Sequence, residues 1–341
     1  VKKELAILLG LLTLVLPVLA TGVALGPVSL PFAFSMQTIV DALMGQAADP
    51  TDRMAQIILQ IRLPRVLTSF TVGAGLSVVG VAMQALVRNP LAEPYVLGIS
   101  SGASAGASLF YLGFLPAFIA ARIDITLAAF LGALVSISIV YVVARGGGSL
   151  SVSRLLLAGV ALASFMAAVS SFVTFASPDL NRMRAVLFWL MGSFSGITWS
   201  DLPTAVIVTV VGTLVLISQS RSLDALLTGE EPARSLGVRV EGLKKVLIVL
   251  AALVTGVLVS ISGAIGFIGL IIPHSIRSLV GVNHRFVLPG SFLAGGLFLV
   301  LADTISQVIL PGQQIPVGIV TALAGVPFFL YLLRRSDYQF K

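Results

Sequence analysis

The acid set most plainly inside an apolar run is Asp303, in the stretch LVLADTIS. An ionisable group in such surroundings takes up a proton, pairs with a cation or anchors a helix contact, which makes it a functional candidate. Beside it stand only Thr304 and Ser306, so a proton relay lacks its second member. Helix contact, or a place near the outer end of the run, is the expectation. His274 and His284 show no HExxH-like spacing and no paired acid, which favours structural or interfacial roles over haem or metal ligation. The chain has no cysteine, which removes disulfides, thiolate metal sites and thiol nucleophiles. No G-x-x-x-x-G-K-[ST] appears, and RGGGSLS at 145–151 is glycine-rich but lacks the lysine, so the chain has no Walker A cradle for ATP. An enzyme would need acid, base and nucleophile facing one another, and no such constellation is visible.

Two polar interruptions remain. VRNPLAEPYVLGISSGASAG, at 87–106, carries Pro90 and Pro94, which remove amide donors and push the preceding residues out of helical geometry. The small residues after it allow close helix approach or line a path with hydroxyls. The second, SQSRSLDALLTGEEPARSLGVRVEGLKK, has Ser222 as a helix cap and short helix-forming pieces on either side of Gly229. Its Glu230, Glu231, Arg234 and Arg239 alternate in sign, as a solvated surface does.

The elements that hold these groups follow from composition. With 57% hydrophobic and 10% charged residues and a mean hydropathy of +1.06, the chain is an all-α integral membrane protein. A single membrane domain over 1–341 is expected, and its net charge of +7 reads as a topology signal rather than a nucleic-acid surface. Apolar runs fall at about 5–25, 64–87, 95–119, 125–144, 155–176, 202–218, 246–280, 287–310 and 316–333. As one helix, 246–280 would be about 52 Å long against a hydrocarbon core of about 30 Å. A break near Ser262 and Gly263 gives about ten transmembrane helices. With both termini cytoplasmic, every Lys and Arg lies inside except Arg53, Arg62, Arg65, Arg122, Arg182 and Arg184, in accord with the positive-inside tendency. Trp189 and Trp199 then suit the outer interface, with a short helix over 187–194. The opening VKKELAILLGLLTLVLPVLATGVAL reads as an uncleaved first helix rather than a secretory signal. A weak repeat pairs Gly73, Ser77, Gly80 and Pro90 with Gly256, Ser260, Gly263 and Pro273.

The strings LPRVLTSFTVGAGLSVVGVAMQALVRNPLAEPYVLGISSGASAG, SRLLLAGVAL, FWLMGSFSG, GEEPARSLGV, SGAIGFIGLIIPHSIR, HRFVLPGSFLAGG, LAD and IPVGIVTALAGVPFFLYLL, in this order, resemble the FecCD family of ABC-importer permeases. The resemblance implies a type II ABC importer permease fold and a homodimer of ten-helix subunits in the cytoplasmic (inner) membrane. It also implies two ATP-binding cassette subunits, which hold the ATP and magnesium, and a periplasmic or lipid-anchored substrate-binding protein. No cofactor and no metal site is expected in the chain itself. Carried over residue by residue, the cytoplasmic gate falls on Asn89, Leu91, Val152 and Ser153, with Val152 standing where a similar permease has threonine. The loop at about 219–245 becomes the coupling element, through Gly229, Glu230, Ala233, Leu236 and Gly237. Arg62 and Arg65, otherwise read as snorkelling to headgroups, become the docking site for the binding protein. Substrates of the family rank as ferric siderophore, then haem and cobalamin. The alternative is an ion-coupled secondary transporter, suggested by the repeat and the glycine-interrupted helix.

Overall fold

A computed structural model describes residues 1–46, 51–146, 150–310 and 312–334, which form helices joined by short turns. The first half comprises α1 (Lys2–Ala24), α2 (Phe32–Leu43), and α3 (Arg53–Gln56), which runs through a π-helical turn (Ile57–Arg62) into α4 (Leu63–Val87). A 3-10 turn (Pro94–Leu97) leads to α5 (Ile99–Tyr111), α6 (Ala117–Ala120), α7 (Ile125–Ala144) and α8 (Val152–Phe175). Then come α9 (Leu180–Leu190), α10 (Leu202–Ser218), α11 (Ser220–Leu227), α12 (Glu230–Ser235) and α13 (Val240–Ser262). The chain closes with α14 (Ile268–Val280), α15 (His284–Val308) and α16 (Val317–Arg334). Arg335 and Lys341, counted above among the inside charges, lie outside the described residues, as do 147–149 of the glycine-rich loop.

Each of the nine expected runs contains a helix, and the long run breaks where expected: α13 ends at Ser262 and Gly263 takes φ +70°. Among the described residues, six helices are long and apolar enough to cross a bilayer unaided, and α10, of 17 residues, meets α11 at a bend of 62°. α5 and α14 have 13 residues each, or about 20 Å, too short alone for a core of about 30 Å. Each is preceded by non-helical chain, so both are half-spans with a broken approach. The interfacial helix starts earlier than expected, because Asp179 caps its first turn by accepting from the Asn181 and Arg182 amides at 2.9 and 3.2 Å.

At the centre stands α4, buried on nearly every face. Helices in lipid gain little from excluding water, so close backbone approach has to supply their packing. A methyl group on Gly80 would lie 2.0 Å from the Gly269 carbonyl oxygen of α14, and one on Gly73 would lie 2.2 Å from that of Gly295 on α15. The small residues after the proline corner serve the same end: Gly102 and Gly106 of α5 meet the Gly132 and Ala128 carbonyls of α7, and Ser136 donates to the Gly98 carbonyl at 2.7 Å. The proposed repeat does not superimpose the two breaks, since its register sets Pro90 of the corner against Pro273 inside α14.

Candidate gate and coupling site

The corner begins where α4 stops. Arg88 takes a left-handed conformation at φ +54°, and the Asn89 side chain accepts from the Leu91 amide at 2.9 Å, folding 89–92 into a tight turn. Asn89 is exposed and Leu91 half-buried at this turn. The chain then re-enters the bundle. Gly269 packs against both Pro94 and Gly80, and Gly80 lies seven residues, about 10 Å, back along α4 from its end.

Non-helical backbone at that depth needs hydrogen-bond partners from protein. The corner supplies them to the other break, between α13 and α14. The Tyr95 hydroxyl donates to the Ile265 carbonyl at 2.7 Å and accepts from the Ile265 amide at 2.9 Å. Glu93 accepts from the Phe267 amide at 2.6 Å, at the left-handed residue (φ +70°) that starts α14. The two broken spans therefore clasp each other across about 170 residues of sequence. On the remaining side, a methyl on Gly159 of α8 would lie 2.1 Å from the Val96 carbonyl oxygen, so α8 is seated on the 3-10 turn. Val152 and Ser153 open α8, half-buried and exposed respectively, behind the Ser151 cap.

The polar loop folds into α11 and α12 around Gly229, whose φ of +123° is accessible chiefly to glycine. Ala233 is buried, Leu236 is 71% exposed and Gly237 turns the chain at φ +85°. Glu230 faces inward, onto Lys244 of α13 at 2.7 Å. Lys244 is itself buried, and it donates to Glu241 at 3.4 Å and to the Leu150 carbonyl at 3.3 Å, while Glu241 accepts from the Leu150 amide at 3.3 Å. Leu150 lies two residues before Val152. A short polar chain thus runs from the candidate coupling element to one candidate gate loop. The other gate loop is touched too, since a methyl on Gly229 would lie 3.6 Å from the Arg88 guanidinium. The His284 ring and amide both engage Asp224 of α11, at 2.6 and 3.0 Å, which ties the loop to the start of α15. His274 packs edge-on to Phe328, and no metal-binding group of His, Asp and Glu exists among the described residues.

Sequence reasoning treated Lys244 only as an inside charge and gave Glu93 and Tyr95 no partner. The signal for Lys244 was its place one turn after Glu241 in the same polar island.

Arg62 and Arg65 do not present themselves to a partner. Arg62, 4% exposed, lies across the end of α1 and donates to the carbonyls of Val23, Ala24 and Val28. There it supplies donors and positive charge to a helix C-terminus. Arg65, 5% exposed, makes a two-pronged ion pair with Asp303, both bonds 2.8 Å, and its third nitrogen reaches Gln314 at 3.0 Å. Gln307 and Ser306 complete the Asp303 shell. The docking expectation is corrected by this burial, and the solitary intramembrane acid turns out to be half of an ion pair.

Apolar helices around a buried central span, two mutually clasped breaks and a helical loop joined by a polar chain to one candidate gate loop define a polytopic membrane protein. The chain belongs to the FecCD transport family, whose model matches residues 12–335. It is 44% identical over 286 residues to the cobalamin import system permease of Halobacterium salinarum, covering 84% of this chain and 75% of that one. To the hemin transport system permease of Yersinia pestis it is 38% identical, covering 98% and 97%. A solved inward-facing metal-chelate type ABC transporter superimposes with a TM-score of 0.83 at 31% identity, over 97% of this chain and 99% of that one. The fold is that of a type II ABC importer permease.

Proposed function

We propose that this chain is the membrane permease of a binding-protein-dependent ABC importer, passing a bulky metal chelate inward while a separate ATPase supplies the energy. The observation that carries the reading is the polar chain from Glu230 through Lys244 to Leu150, because it joins an exposed loop to a candidate gate. Asn89, Leu91, Val152 and Ser153 form the inner gate, and Gly229, Glu230, Ala233, Leu236 and Gly237 meet the ATPase. Two copies assemble around a shared pathway in the inner membrane, with both termini cytoplasmic. Exposed apolar residues on α8 and α16, such as Phe165, Phe172 and Leu323, suit that second copy. The names of the cobalamin and hemin relatives support placing those two chelates ahead of a ferric siderophore.

Docking of the binding protein falls to the exposed outer arginines Arg53, Arg122 and Arg184 rather than to the buried pair. Complementary charge at such a rim orients the encounter.

The test is uptake by proteoliposomes holding this chain and its ATPase, with ATP inside and binding protein plus cobalamin, haem or ferric siderophore outside. Accumulation that needs all three components supports the importer. Uptake that persists without the ATPase and follows a proton or sodium gradient supports the secondary transporter instead.

A further inference from the structure

The bend between α10 and α11 opens a groove of about 740 Å³ against the start of α13. Gln219, Arg221, Ser222, Arg239, Leu243 and Val246 are among its lining residues, and no carboxylate lines it. Nearby acids are already engaged, because Arg234 pairs with Glu230 and Glu231, and Lys244 with Glu230 and Glu241. Arg221 and Arg239 are exposed and take part in no ion pair among the described residues. The N-terminus of α13 opens here without a side-chain cap, whereas that of α11 abuts the end of α10 across Gln219. An anion is favoured at such an open end.

The groove also has a direction. It lies where α10 and α13 leave their apolar spans, and exposed Leu214 and Val211 on α10 and Val249 and Leu253 on α13 continue the apolar surface away from the arginines. A positive, carboxylate-free mouth over an apolar trough fits one chemistry, a phosphate monoanion carried on acyl chains.

We propose that the groove binds an anionic phospholipid of the cytoplasmic leaflet, its phosphate between Arg221 and Arg239 and its acyl chain between α10 and α13. Leu236 and Gly237 of the coupling element line the same groove, so the bound lipid sits beside the residues proposed to meet the ATPase. The inference borrows from the proposed function only the cytoplasmic placement of the loop, and its test reads binding, not transport.

The test is native mass spectrometry of the full chain, alone and with its ATPase, titrated with phosphatidylglycerol or phosphatidylethanolamine. The expected result is tighter binding of phosphatidylglycerol. At about 1 kcal/mol per basic residue near an anionic surface, Arg221→Gln or Arg239→Gln weakens that binding about fivefold and the double variant about 30-fold. Arg285→Gln, a control outside the groove, leaves it unchanged. Equal affinity for the two lipids, or an unaffected double variant, overturns the proposal. So does displacement of the lipid by millimolar inorganic phosphate, which would mark a free-anion site, or by the ATPase, which would assign the groove to the protein partner.

Discussion

Replacing Lys244 by Met keeps most of the apolar length of the side chain, one atom shorter, and removes its charge. In the wild-type chain this ammonium, with a side chain 3% exposed, holds Glu230 and Glu241 and donates to the Leu150 carbonyl. Breaking a buried ion pair by removing one partner costs about 3–5 kcal/mol. Glu230 and Glu241 are 28% and 40% exposed, so water recovers part of that cost, and about 2 kcal/mol is expected for the junction. Such a loss shifts the balance between joined and parted loop by about 30-fold. In proteoliposomes, Lys244→Met then lowers chelate taken up per ATP hydrolysed by about 10- to 30-fold, while the ATPase still binds and turns over. Glu230→Gln in the same background adds little, since its partner has already gone, and a double-mutant cycle returns a coupling of about 1–2 kcal/mol. Uptake per ATP within twofold of wild type in Lys244→Met would refute the reasoning.

Arg65→Met strands a buried Asp303 and destabilises the folded chain by about 3–5 kcal/mol in detergent denaturation, whereas Arg65→Met with Asp303→Leu recovers most of the loss; a single-variant cost below about 1 kcal/mol contradicts the assignment. Tyr95→Phe leaves the Ile265 amide and carbonyl without their shared hydroxyl and costs about 1–3 kcal/mol by the same assay, with no loss expected if the clasp is incidental. Gly80→Ala forces a methyl into the Gly269 carbonyl, and thermal melting falls by the equivalent of about 1–3 kcal/mol or more; an unchanged melting temperature would show that α4 and α14 are not in backbone contact.

Hydropathy encodes the thickness each span must cross, and the spans were legible in the sequence. The span positions, the break at Ser262–Gly263 and the helical pieces around Gly229 all followed from local properties. Contacts between helices did not. Spans that are apolar on every face carry little periodic signal for which side meets which neighbour, so Arg65 read as a rim charge and Asp303 as solitary although they pair across 238 residues. Glu93 and Tyr95 were visible as part of a corner, yet their partners are backbone groups of another break, which no side-chain pattern marks. Lys244 was masked by a rule that explained it well enough: positive charge at the polar edge of an apolar span needs no further reason.

The central claim is that events at the loop around Gly229 reach the gate loops. Having no cysteine, the chain permits a clean single-cysteine reporter, Leu91→Cys, in the complex with the proposed ATPase and binding protein. Thiol labelling from the cytoplasmic side is expected to change by about tenfold or more between the nucleotide-free and ATP-bound complexes, and to lose that response when Lys244→Met is added. Labelling indifferent to nucleotide, or a response that survives Lys244→Met intact, would contradict the account.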